Sequence, residues 1–201
     1  MTAVPSTPRE RAFAARREGT QRQIVDAAVA LIADQGFTAT SVDDIAELAG
    51  VAKGSVYYNF GSKSDLFEAV IIEGVTRLTA GLRQAGTGLT GRPALEALVA
   101  ELLSQIRAQP QFAKLVVAEI FRTGRDWQDS IRLVREESMR VFADVIEQSQ
   151  GSDGGSDPAL VAGAVFGGTL VAGLEWLAFQ PERTFEEVLT AVLLAVGGAI
   201  R

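Results

Sequence analysis

GVAKGSVYYNFGSKSDLF, residues 50–67, places glycines where a helix should end and hydroxyls where one should begin, and crowds two lysines and two tyrosines between them. Ala46, Gly50 and Val56 stand at the spacing of a helix-turn-helix. Ala46 is small enough for two helices to cross closely, and Gly50 supplies the left-handed backbone of the turn. Ile45, Val51 and Val56 plug the angle between the helices. That leaves Lys53, Gly54, Ser55, Tyr57, Tyr58 and Asn59 on or beside the second helix, available to a major groove. Phosphates need hydroxyl, ammonium and backbone N–H donors. Thr40, Ser41, Tyr57, Tyr58 and Lys63 supply the side-chain donors, and the starts of two flanking helices add their positive dipole ends. Spacing alone also fits a plain helical hairpin with core tyrosines.

Working outward, almost every segment reads as helix, with no sustained two-residue alternation. Thr20 with Gln23 resembles a capping box, followed by Ile24, Ala27, Ala28, Leu31 and Ile32 on one face and a stop at Gly36. Thr40 or Ser41 caps a second helix with Asp43 and Asp44 in its first turn, and Gly50 ends it. A third runs from about Lys53 to Tyr58. Ser62 with Asp65 opens a long fourth, reaching about Gln84. Residues 85–93 are a linker by composition, and Pro93 and Pro110 fit first-turn positions of further helices. Asp157-Pro158 opens another after the loop 151–157, and Thr184 with Glu187 the last. The expectation is an all-α chain of about nine helices. It divides into a flexible basic arm at 1–18, a three-helix helix-turn-helix domain at 19–66, and a helical domain at 67–201.

Composition narrows the chemistry. The 201 residues include no cysteine and no histidine, which removes thiol chemistry, the commonest general base and the commonest zinc ligand. With no nucleotide loop or metal-ligand cluster in view, an enzyme is not expected, and neither is a cofactor. Net charge is −6, yet residues 1–63 are balanced at seven cations and seven anions. Arg9, Arg11, Arg16, Arg17 and Arg22 lie before or on the first helix. Such an arm can meet phosphates, or simply solubilise the chain. The amino-terminal residues lack the apolar core of a signal peptide, so a cytoplasmic protein is expected. Residues 158–179 carry one charge, Glu175, and a Gly163-x-x-x-Gly167 pair. The segment is long enough for a membrane span, but its modest apolarity and lack of flanking cations favour a buried or subunit-interface helix.

The stretch TSVDDIAELAGVAKGSVYYNFGSKSDLF resembles the DNA-binding domain of TetR-family transcriptional repressors. Thr40, Ile45-Ala46, Ala49-Gly50-Val51, Lys53, Gly54, Val56-Tyr57, Phe60, Ser62-Lys63 and Leu66 carry the likeness, with Ile24, Ala27, Ala28 and Gly36-Phe37 before them. It covers about residues 20–67. Lys53 departs from the Ser or Thr of many members. The resemblance implies a homodimer that binds a palindromic operator and is released by a small-molecule effector; the rival is an architectural DNA-binding protein without one. It implies a dimer interface at Ala162, Gly163, Gly167, Gly168, Leu189, Val192, Leu193 and Val196. It also implies a pocket among the middle helices, with Phe112, Leu115, Phe121, Trp127, Met139, Phe142, Phe166 and Trp176 as candidate lining. Glu119, Arg122, Arg125 and Glu175 are candidate polar anchors. Aromatic richness points to an apolar or aromatic effector. Each of these residues also reads as plain core or as a solvated charge.

Overall fold

The computed structural model describes residues 7–120, 128–150 and 156–197, and among these it forms nine α-helices and no strand. They are α1 (Pro8–Gln35), α2 (Val42–Ala49), α3 (Lys53–Phe60), α4 (Lys63–Ala85), α5 (Gly91–Ala108), α6 (Pro110–Ile120), α7 (Gln128–Gln150), α8 (Pro158–Phe179) and α9 (Phe185–Val196). The chain divides into two compact units, Met1–Val70 and Ile71–Arg201.

Helix boundaries follow local chemistry. Ser41, not Thr40, caps α2: its hydroxyl accepts the Asp44 N–H while the Asp44 carboxylate accepts the Ser41 N–H, both at 3.0 Å. Gly50 ends α2 at φ 66°, where a side chain would be strained. Thr184 and Glu187 form the same reciprocal pair at the start of α9. Asp157 caps α8 by accepting the Ala159 N–H.

The expected start at Thr20 is not a start. Thr20 lies inside α1, its hydroxyl donating to the Arg16 carbonyl at 3.0 Å, and the helix continues back to Pro8. Residues 8–18, expected as an arm, are therefore the first three turns of α1. The capping pattern misleads because a Thr within a helix satisfies its hydroxyl on the preceding turn just as readily.

In the first unit, Ile24, Ala28 and Ile32 of α1 meet Ile45 and Ala46 of α2, Val56 of α3 and Leu66 and Phe67 at the start of α4 to make the buried core. The rings of Phe37 and Phe67 meet edge to face at 5.1 Å. In the second, α5 is central. Its Leu95, Leu98, Val99, Leu102, Leu103 and Ile106 are all buried, and it packs on α6, α7, α8 and α9. Helix α8 is long and apolar enough to cross a membrane by length and composition. Here one of its faces packs on α5 and α7. At Gly173 a side chain would collide with Ile106, so the glycine sets how closely α5 and α8 cross.

Candidate nucleic-acid interface and helical cavity

The turn between α2 and α3 is built from backbone bonds: Val51 N–H donates to the Ala46 carbonyl at 3.0 Å. Val56 is buried beneath α3, which leaves Lys53, Gly54, Tyr57 and Tyr58 exposed and Ser55 and Asn59 half-buried. Asn59 donates to the Ser55 carbonyl at 2.7 Å, and its own amide oxygen is enclosed without a partner. Lys53 reaches Asp43 of α2 at 2.8 Å, and the carboxylate holds the ammonium pKa above its ordinary value. An exposed pair of this kind is screened by water and exchanges easily. Tyr57 and Tyr58 are 46 and 70% exposed on α3.

Two expected phosphate donors serve the fold instead. Thr40 is 1% exposed; its hydroxyl donates to the Gly36 carbonyl at 3.0 Å and receives the Gln35 amide at 3.3 Å. Lys63 is half-buried, donates to the carbonyls of Phe37 and Thr40 at 2.7 and 2.8 Å, and lies 4.1 Å from the Phe37 ring centroid. It fastens the loop after α1 to the start of α4. Sequence reading missed this because a lysine beside hydroxyls and tyrosines looks the same whether its partner is a phosphate or two carbonyls 23 and 26 residues away.

In the second unit an apolar cavity of about 60 Å³ lies among α4, α5, α6, α7 and α8. Phe112 and Phe166 line it, together with Ile71, Gly74, Leu78, Leu102 and Ile106. Arg77, Arg135, Gln105 and Gln109 also border it, the Arg77 guanidinium standing half exposed and 3.7 Å from the Glu73 carboxylate. The Phe112 ring sits against Gly74, in the space a Cβ there would occupy. Thr79 donates to the Val75 carbonyl at 2.9 Å, and its hydroxyl shares a buried 2.6 Å hydrogen bond with that of Ser138.

The other candidate lining residues lie elsewhere. Leu115 and Phe142 are buried outside the cavity wall, Phe142 meeting Phe166 edge to face at 5.8 Å. Met139 lies against Gly163. Trp176 donates to the Arg183 carbonyl at 2.9 Å and, with the exposed Glu175, borders a groove of about 480 Å³ between α8 and α9. Phe121, Trp127, Arg122 and Arg125 fall outside the described residues, as does the side chain of Glu119. The α4 side of the cavity went unnoticed because Ile71, Val75 and Leu78 read as ordinary helix core; Gly74 in their midst was the available signal.

The expected interface residues also divide. Ala162 and Val192 are buried in their own unit's core, at 0% and 6% exposure, and have almost no surface to offer a partner. Gly163 is taken by Met139. Gly167 and Gly168 have open space where a Cβ would go, and Gly168 is exposed. Leu189, Leu193 and Val196 are half-buried. Exposed nearby are Leu160, Val171, Phe179 and Leu194, at 73, 61, 74 and 84%.

The geometry of α1 to α3 is that of a helix-turn-helix, an arrangement that places its last helix for a major groove. Residues 24–70 match the family of bacterial regulatory proteins, tetR family. The amino-terminal unit is thus similar to the DNA-binding domain of TetR-family regulators. The chain is 29% identical over 136 residues to the transcriptional activator FasR of Mycolicibacterium smegmatis, covering 67% of this chain and 62% of FasR. It is 36% identical over 84 residues to the transcriptional repressor KstR2 of Rhodococcus jostii, 41% of each chain. These matches thus span less than two thirds of either relative. Its fold is similar to that of the regulator FadR from Bacillus subtilis, solved in complex with stearoyl-CoA, with a TM-score of 0.77 and 21% identity over 90% of this chain and 99% of that one.

Proposed function

We propose that the chain is a cytoplasmic, ligand-responsive transcriptional repressor that binds a palindromic operator as a homodimer and leaves it when an acyl-CoA thioester occupies the cavity of the second unit. The DNA half of the reading rests on α3, whose exposed Lys53, Tyr57 and Tyr58 offer donors to base edges and phosphates. Operator binding is assigned to Ser41, Lys53, Gly54, Ser55, Tyr57, Tyr58 and Asn59, with Thr40 and Lys63 shaping the surface from behind.

The single observation that carries the effector half is the apolar cavity with Arg77 and Arg135 in its wall. An apolar tail and an anionic head fit such a lining, and a regulator of the same fold is known with stearoyl-CoA bound. An architectural protein has no use for such a cavity. At about 60 Å³ it is far smaller than the roughly 300–1,000 Å³ of ligand pockets. Occupation therefore requires Phe112 to leave Gly74. The effector must bind the opened state more tightly, and that difference shifts the population. Helix α4 runs unbroken from Lys63 to Ala85, so the helix that walls the cavity also carries the Lys63 bonds to Phe37 and Thr40.

Dimerisation is assigned to the face of α8 and α9 that exposes Leu160, Gly168, Val171, Phe179 and Leu194. An apolar patch of this extent is normally covered by a partner. A second copy fits, because a two-fold axis lets the open positions at Gly167 and Gly168 face each other.

The test is selection of genomic fragments on the purified chain, followed by mobility shifts with a graded series of saturated acyl-CoAs. Retention of a palindromic fragment and its release by an acyl-CoA are expected. Failure to retain any fragment sinks the regulator reading; retention without release sinks the effector class. Because FasR is named an activator, a reporter driven by the selected fragment decides the sign. Higher expression in the presence of the chain would replace repression by activation.

A further inference from the structure

Among the described residues four polar side chains are buried: Thr40, Thr79, Ser138 and Thr169. Thr40 and Thr169 donate to carbonyls four residues back, Gly36 at 3.0 Å and Val165 at 2.7 Å. Such bonds are local and satisfy a hydroxyl wherever it falls. Thr79 and Ser138 differ. They lie 59 residues apart, on α4 and α7, 2% and 1% exposed, with their oxygens 2.6 Å from each other. Ser138 stands in the wall of the apolar cavity, and Thr79 backs it.

The fold alone gives little reason for this pair. Valine and alanine match the two side chains in shape without the hydroxyls, and a double replacement of that kind in a core is close to neutral in stability. The other buried side chains of the wall are apolar: Ile71, Val75, Leu102, Ile106, Ala113 and Phe166. A hydroxyl has two lone pairs and a hydrogen that rotates to suit its partner, so it meets a ligand oxygen as donor or as acceptor. In an apolar wall it is therefore a point of recognition. A ligand oxygen brought to Ser138 keeps a partner, whereas one brought against the hydrocarbon loses its bonds to water and gains nothing. The position of that point is also set. Arg135, half-buried at the border of the cavity, precedes Ser138 by three residues. The two share one face of α7, about 4.5 Å apart along its axis.

We propose that Ser138, held by Thr79, is the specificity-determining polar point of the cavity, and that the effector bears a hydroxyl or oxo oxygen on its chain, a few bonds from the end held at Arg135. This rests on the acyl-CoA reading above and narrows it to acyl groups oxygenated near the thioester. Ser138 touches the ligand oxygen. Thr79 is a positioning residue: it ties the Ser138 hydroxyl to α4 and is itself anchored on the Val75 carbonyl at 2.9 Å.

The experiment is calorimetric titration of the full chain with straight-chain saturated acyl-CoAs of graded length and with their 3-hydroxy and 3-oxo counterparts. The variants are Ser138→Ala, Thr79→Val and Thr79→Ser, with Thr169→Val as a buried hydroxyl away from the cavity; each is checked by circular dichroism and urea unfolding. At the best length, the wild type is expected to bind an oxygenated chain more tightly than the plain one. Leaving a buried polar group without its partner costs about tenfold or more in binding. Ser138→Ala is therefore expected to lower the ratio of plain to oxygenated Kd by about that factor, through weaker binding of the oxygenated chain. Thr79→Val should lower the ratio in the same direction, Thr79→Ser should restore it, and Thr169→Val should leave it unchanged. A merely loosened fold weakens both ligands alike and does not move the ratio. Should Ser138→Ala not fold, Thr79→Val decides by the same ratio. If the wild type binds the plain chain at least as tightly, or its preference survives in Ser138→Ala, the subsite is overturned and the effector reading stands. A fall of equal size in Thr169→Val would overturn it as well. If the wild type binds none of the three series, both readings are overturned.

Discussion

Lys63 shows how one side chain decides between two physical roles. Its ammonium gives bonds to two carbonyls and caps an aromatic face. A bond from a charged donor contributes about 1.5–3 kcal/mol. Lys63→Met, which keeps the stem and removes the donors, is expected to lower the stability of the amino-terminal unit by about 2–3 kcal/mol in urea unfolding. Tyr57→Phe, on an exposed ring, should leave stability within about 0.5 kcal/mol while weakening operator binding in a mobility shift. A stable Lys63→Met protein with a reduced salt slope would return Lys63 to the phosphate contacts. Lys53 differs from both, since its partner Asp43 is itself exposed. Binding a phosphate there is an exchange of anions, so Asp43→Asn is expected to raise affinity for random duplex more than Lys53→Ala lowers it.

At the scale of elements, capping was legible and packing partners were not. Ser41 with Asp44 and Thr184 with Glu187 could be read because a cap is local: both partners lie within four residues. The beginning of α1 could not, because Gly19 and a run of exposed charges carry no periodicity. Nor could the split between Gly163, which faces Met139, and Gly167, which faces open space. Both are glycines on one apolar helix, and only the position of α7 separates them. That split gives a paired test. Gly167→Leu should leave unfolding unchanged and disrupt the dimer in light scattering. Gly173→Leu, which collides with Ile106, should destabilise the second unit by about 1–3 kcal/mol or more. An intact dimer for Gly167→Leu would remove this face of α8 from the interface. The caps also titrate. Bonds from Ser41 hold the Asp44 carboxyl below its ordinary pKa, and the Thr184 N–H does the same for Glu187. Groups with depressed folded pKa values stabilise above their unfolded pKa and lose that contribution as pH falls through the folded one. Thermal midpoints should therefore be insensitive to these caps above about pH 5 and fall below about pH 4. Asp44→Asn with Glu187→Gln should flatten that acid limb, and a wild-type acid limb unchanged by the pair would show that other carboxylates set it.

For the whole molecule, an effector that binds only the folded state must stabilise it. At 100 times its Kd the gain is about 2.7 kcal/mol. A saturating acyl-CoA is expected to raise the unfolding midpoint of the free protein, and to raise it more in Phe112→Ala, where the tail no longer has to displace a ring. Equal shifts in both proteins would leave Phe112 as wall rather than obstacle.

The seating of Phe112 on Gly74 reaches past any one binding event. Two positions 38 apart in the sequence share one volume, which the ring fills and the glycine leaves empty. Neither can change alone without cost. A methyl at 74 evicts the ring, and a small residue at 112 leaves a hole. Lineages descending from this chain are therefore bound to drift at these two sites together, glycine kept wherever an aromatic stands opposite and released wherever it has been lost. Gly74→Ala combined with Phe112→Leu should accordingly be more stable than the two single changes added together predict, and strict additivity in urea unfolding would dissolve the bond between them.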